Sequence, residues 1–115
     1  ADIIRHIRDD LGREVFADAS SFEEGLKAAE LGATYVATTL AGYTGGPVPA
    51  APDLDLVARL AGALSVPVVA EGRFNTPELA RAAIDAGAHA VVVGTMITNP
   101  REITRGFARA VAGTS

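Results

Sequence analysis

Two strand-end acids and one nearby base carry most of the chemistry available to this chain. Glu71-Gly72-Arg73 follows directly on the apolar run Val66-Pro67-Val68-Val69-Ala70, and a helix-start signal, Thr76-Pro77-Glu78, comes at once after it. A β-branched run this short reads as a strand buried on both faces, as in parallel sheets. Glu71 then stands at the strand's carboxyl end, where α/β proteins place their reacting groups, and a carboxyl there suits general acid–base work. Arg73 either pairs with Glu71 or holds an anion. Asp18 ends a second short strand, over Glu14 to Asp18, and either faces the same side as Glu71 or caps the helix after it. The bland alternative for the Glu71 stretch is a solvated strand-to-helix turn.

A third strand end reads Val91-Val92-Val93-Gly94-Thr95. A glycine there lets backbone N–H groups approach an anion. Gly72 with Arg73 and Gly94 with Thr95 lie on consecutive strand ends, the arrangement barrels use for phosphate. Between Thr39 and Asp53 runs a long Gly/Pro-rich connection, Thr39-Leu40-Ala41-Gly42-Tyr43-Thr44-Gly45-Gly46-Pro47 onward. Connections in compact domains usually run ~4–6 residues, so this one suggests a lid or binding loop. Tyr43 and Thr44 either close over a polar ligand or serve loop packing. Other chemistries find no support. His6 falls on an outer helix and His89 at a strand start, so no metal constellation is expected. No Ser-His-Asp arrangement or phosphate-binding G-x-x-x-x-G-K-[ST] loop is present. Lys27, the only lysine, reads as mid-helix surface.

The elements that must position these groups alternate. A helix over Asp2 to Leu11, with Ile3, Ile4, Ile7 and Leu11 on one face, is closed by Gly12. The Glu14–Asp18 strand precedes a helix opened by Ser20 or Ser21 and running through Leu31. A strand over Thr34 to Thr38, the long loop and a helix over Leu54 to Leu64 follow. After the Glu71 strand come a helix from Thr76 to Ala86, a strand from His89 to Val93 and a helix from Pro100 to Ala112. The order predicts an α/β fold with a parallel sheet covered by helices.

The chain also repeats itself. Ala17-Asp18, Ser21, Gly32-Ala33 and Val36 match Ala70-Glu71, Thr76, Gly87-Ala88 and Val91, at an offset of 55 residues in helix and second strand and 53 at the acid. Each copy is a βαβ unit, which suits a (β/α) barrel built from duplicated pieces. A complete barrel needs roughly 200–250 residues, however, and 115 are present with four strands. The expectation is one domain over 1–115, a (β/α)4 half-barrel preceded by a helix over 1–12, or else a small open sheet. Its edges, near Val15 and Val92, would be unpaired and prone to associate. The net charge of −4 argues against a broad nucleic-acid or anionic-membrane surface, and the absence of Cys excludes disulfides. No apolar run approaches the ~18–20 residues of a membrane span.

Phe16-Ala17-Asp18-Ala19-Ser20-Ser21-Phe22-Glu23-Glu24-Gly25, Thr38-Thr39-Leu40-Ala41-Gly42-Tyr43-Thr44, Pro67 to Pro77, and Gly87-Ala88-His89-Ala90-Val91-Val92-Val93-Gly94 resemble the N-acetylmannosamine-6-phosphate 2-epimerase family. The Thr-Thr-Leu-x-Gly-Tyr-Thr element is the most specific part. The resemblance is to strands five to eight, the C-terminal half of a TIM (β/α)8 barrel with a ribulose-phosphate-binding-barrel-like phosphate site. It implies a cytoplasmic isomerase of sialic-acid catabolism that interconverts N-acetylmannosamine 6-phosphate and its glucosamine epimer without a cofactor. It also implies that Glu71 transfers protons with a lysine from the other half, with Asp18 near the sugar. Gly72, Arg73, Gly94 and Thr95 would lie at the phosphate, and Thr39, Gly42 and Tyr43 at the substrate. Ala41 replaces a frequent Ser, and Thr95-Met96 replaces a second Gly and a small residue. The family's lysine has no counterpart here, so the isolated chain should be catalytically incomplete, with a second half-barrel as the implied partner. The alternatives are a non-catalytic half-barrel that pairs through its edges, and a different phosphosugar barrel isomerase.

Overall fold

Capping chemistry sets the start of each long helix, and a repeated turn ends two of them. Ser21 accepts a hydrogen bond from the Glu24 N–H at 3.2 Å, while the Glu24 carboxylate reaches back to the N–H and hydroxyl of Ser20, both at 2.7 Å. Ser21, not Ser20, is therefore the N-cap. Thr76 caps its helix by accepting from Leu79 N–H, with Pro77 in the first position, and Asp53 does the same through Leu56 N–H. The computed structural model describes residues 2–114; Ala1 and Ser115, the ends of the expected domain, lie outside them.

In chain order the elements are α1 (Asp2–Arg5), a π-helical turn (His6–Asp10), β1 (Phe16–Asp18), α2 (Phe22–Glu30), β2 (Tyr35–Ala37), α3 (Leu54–Ala63), β3 (Val68–Glu71), α4 (Pro77–Asp85), β4 (Ala90–Val92), α5 (Thr95–Thr98) and α6 (Pro100–Ala112). The four strands form one parallel sheet in the order β1-β2-β3-β4. The strands are shorter at their ends than expected, but each expected strand is present.

The repeat is a structural one. Phe16 registers with Tyr35 and Val69 with Ala90, and the acids Asp18 and Glu71 register with Ala37 and Val92. Both helices end in the same pair of bonds: Gly32 N–H to Ala29 O and Ala33 N–H to Ala28 O, then Gly87 N–H to Ile84 O and Ala88 N–H to Ala83 O. Gly32 and Gly87 adopt φ of 99° and 103°, the left-handed C′ position of this turn.

The expectation for the first helix needs correction. The first helix is not α-helical to Leu11, because Leu11 N–H bonds to His6 O, a five-residue step. That wider turn rotates side chains off the 3.6-residue face. Ile4 and Ile7 pack on the core, whereas Ile3 and Leu11 are exposed. The edges expected near Val15 and Val92 are β1 and β4, the outer strands of the sheet. Val15 is buried, and its N–H and carbonyl bond to Thr34 and Tyr35, so Phe16 is the exposed apolar residue of the β1 edge.

The core has two parts. Val36, Leu56, Leu60 and Val68 centre one between α2, α3 and the sheet, and Val57, Ala70, Phe74 and Ala83 centre the other. The inner strand β3 is buried on both faces through Ala70, as expected of a parallel strand. The last helix does not cover the sheet: α6 packs on α5 and has no buried residue. Among the described residues no helix is long and apolar enough to cross a membrane.

Candidate active site

The carboxyl ends of β1 to β4 open onto one side, and the residues that follow them converge there. Thr38, 2% exposed, ends the β2 segment and grips the main chain of Glu71 from the neighbouring strand. Its hydroxyl donates to Glu71 O at 3.0 Å and accepts from Glu71 N–H at 3.1 Å. Thr39, the next residue, points to the carboxylates. Its hydroxyl lies 2.8 Å from Asp18 Oδ1 and 3.0 Å from Glu71 Oε2. A hydroxyl has one proton to give, so it donates to one of the two acids at a time. Asp18 therefore faces the site through Thr39; the cap of α2 is Ser21.

Arg73 does not pair with Glu71. Neither residue takes part in an ion pair among the described residues. The guanidinium turns to the long loop instead, donating to Ala41 O at 2.7 Å and Ala51 O at 2.9 Å, and lies 5.2 Å from the centre of the Tyr43 ring.

An open cavity of about 480 Å³ lies above these groups. Glu71, Gly72 and Arg73 form one side, Thr39 and Tyr43 another, and Gly94 and Thr95 a third. Asp18 and Gly42 do not line it. Gly42 sits under the loop, where a Cβ would come 2.8 Å from Pro49 Cδ. Gly94 adopts φ −100° and precedes α5, and a Cβ there would meet nothing within 4 Å. The space in front of its backbone is open to a ligand, and Thr95 begins the helix exposed.

The histidines stay out of the site: His6 bonds to Asp10 on the surface, and His89 is exposed before β4. Among the described residues no group of three or more His, Cys, Asp or Glu side chains could hold a metal ion.

Sequence reasoning missed Thr38, the α5 helix, and Phe74 and Val92 in the cavity wall. Thr38 left a signal, since adjacent residues at a strand end point to opposite faces and a Thr pair sends a hydroxyl to each.

The chain's relatives agree with this architecture. The family model described as "Putative N-acetylmannosamine-6-phosphate epimerase" matches residues 1–113. Proteins named "Putative N-acetylmannosamine-6-phosphate 2-epimerase" are similar in two bacteria. The one from Caldanaerobacter subterraneus subsp. tengcongensis is 53% identical over 94 residues, covering 81% of this chain and 40% of the relative. That from Pasteurella multocida is 48% identical over 109 residues, covering 95% and 47%. The solved N-acetylmannosamine-6-phosphate 2-epimerase from Clostridium perfringens superposes with a TM-score of 0.87 at 41% identity, over 95% of this chain and 48% of that one. The chain thus spans about half the length of the relatives it matches. With the family model covering nearly every residue, the chain belongs to the N-acetylmannosamine-6-phosphate epimerase family.

Proposed function

We propose that this chain supplies strands five to eight of a barrel that epimerises N-acetylmannosamine 6-phosphate at C2 to N-acetylglucosamine 6-phosphate. The observation that carries the reading is the acid pair Asp18–Glu71, joined by the Thr39 hydroxyl beneath a cavity flanked by Gly72 and Gly94. Epimerisation takes the C2 proton to a base while the C–H electron pair moves toward the C1 carbonyl oxygen. A proton then returns to the opposite face of C2. Glu71 is held at backbone and carboxylate by two threonines, and such fixed geometry suits proton transfer. In this reading Asp18 orients the sugar through Thr39, and Gly72, Gly94 and Thr95 receive the phosphate. Gly42 shapes the loop, Tyr43 walls the substrate, and no cofactor is required. Arg73 already has two carbonyl partners, which favours a role on the loop over one on the phosphate.

The only lysine, Lys27, is exposed on α2 and bonded to Glu30. In this reading the second base comes from the other half of the barrel, and a cytoplasmic setting goes with a phosphosugar substrate. The test is C2 deuterium exchange on N-acetylmannosamine 6-phosphate in D2O. The chain alone should give none, the chain with an N-terminal half-barrel of a family member should give exchange, and Glu71→Gln should abolish it. Robust exchange by the chain alone overturns the incomplete site; no exchange from a folded, complemented barrel overturns the epimerase reading. The unpartnered α6 face favours one second reading, a half-barrel that acts by pairing alone, and that outcome would support it.

A further inference from the structure

Arg73 is the one non-glycine residue at positive φ among those described, at 63°. The bend has a visible origin. After Asp18 three residues, 19–21, lead into the helix, whereas after Glu71 five residues, 72–76, do so. The two extra residues let the chain turn through Gly72 at φ 102° and Arg73 in succession. A residue with a Cβ at such an angle is held there by its surroundings, and here those surroundings are the long loop.

The carbonyls that Arg73 meets, Ala41 O at 2.7 Å and Ala51 O at 2.9 Å, stand on either side of the loop segment 42–50. Within that segment Pro49 folds back on Gly42, and a Cβ on Gly42 would also approach Arg73 Nη2 to 3.0 Å. Among the described residues no backbone-to-backbone hydrogen bond ties residues 44–52. The segment has the form of an Ω-loop, whose ends lie close together, and the guanidinium is the polar group that joins them. The same guanidinium lies over Tyr43, 5.2 Å from the ring centre, and Tyr43 walls the cavity.

We propose that Arg73 is the clasp of the 42–50 loop: a positioning residue that closes the loop's neck and fixes the Tyr43 ring at the cavity. The fork matters more than the charge. Two N–H donors, Nε and Nη1, held at a fixed divergence on one rigid plane reach two separate carbonyls, whereas a lysine presents a single flexible point.

The test needs no ligand, so it stands apart from the epimerase reading. Backbone 15N order parameters are measured for this chain, for Arg73→Gly and for Arg73→Lys. The exposure of Tyr43 is read from iodide quenching of tyrosine emission in a Tyr35→Phe background, since the chain has two Tyr and no Trp. Glycine accepts φ 63° without strain, so Arg73→Gly should keep its circular dichroism. Its amides at Tyr43 and Ala51 should fall from the rigid range of about 0.85 to below about 0.6, with stronger quenching of Tyr43. Arg73→Lys keeps the charge, the Cβ and the backbone angle and removes only the fork. It should loosen the Ala51 side of the neck, and it covers the case in which the glycine variant does not fold. Order parameters and quenching equal to wild type in a folded variant of either kind overturn the proposal.

Discussion

Thr38 and Thr39 divide the work of holding Glu71, and they should fail differently. Thr38 is buried, and its single oxygen serves both the N–H and the carbonyl of Glu71. Thr38→Val keeps the shape and leaves both groups short of a partner, so it should cost about 1–3 kcal/mol, read as a lower urea midpoint. Thr39 is only partly buried and bonds to carboxylates that water can reach. Thr39→Val should therefore change the urea midpoint less than Thr38→Val does, while lowering exchange in the complemented barrel; Thr39→Ser should restore it. The acids themselves were legible in the sequence, because each ends a short strand just before a helix cap. The direction of Arg73 was not. Its contacts depend on a left-handed backbone angle and on a loop that returns ten residues later, and neither leaves a periodic trace.

At the scale of elements, the repeated βαβ unit was legible because caps and Gly-Ala turns are chemical signals at fixed offsets. The α5 helix has four residues, too few to show a 3.6-residue period, and the π-turn mimics an α-helix in hydrophobic pattern. The glycines give a paired prediction. Gly87 sits at φ 103°, where a Cβ would come 2.9 Å from Ala61 Cβ, so Gly87→Ala should destabilise by about 1–3 kcal/mol. Gly62 lies in α3 with nothing within 4 Å of an added Cβ, and Gly62→Ala should stabilise by up to about 1 kcal/mol. Thermal midpoints should move in opposite directions. The start of α2 adds a pH dependence. Bonds from the Ser20 hydroxyl, then the Ser20 N–H, hold the Glu24 carboxyl below its ordinary range, against a smaller effect of burial. A carboxyl lowered in the folded state adds stability that is complete above its unfolded value and is lost as pH falls through its folded value. The urea midpoint of wild type should exceed that of Glu24→Gln near neutral pH, and the gap should close as pH drops below the ordinary glutamate range.

The whole molecule is more extended than its length requires. Its radius of gyration is 16.0 Å and its extents are 54 × 26 × 26 Å, against roughly 13 Å for a compact domain of this size. The extra length goes with a sheet that does not close and a helix that covers none of it. Phe16 is half-exposed on the β1 edge and Val92 on the β4 edge. On α6, Ile103, Phe107 and Val111 recur every four residues, and Phe107 and Val111 are 72% and 89% exposed. An apolar cavity of about 380 Å³ continues from Phe107 to Met96 and Phe74. Open edges and apolar stripes of this kind recruit partners. The chain alone should therefore sediment as a concentration-dependent associate, and should pass to a single one-to-one species when a complementary half-barrel is added. The pair Phe107→Glu and Val111→Lys separates the stripe from the sheet edges. Both side chains are largely exposed, so the unfolding midpoint should hold. If the stripe drives association, the double variant should run as a monomer at concentrations where wild type does not. If β1 and β4 pair between chains without it, the variant should associate as wild type does, and the contact would belong to the sheet edges.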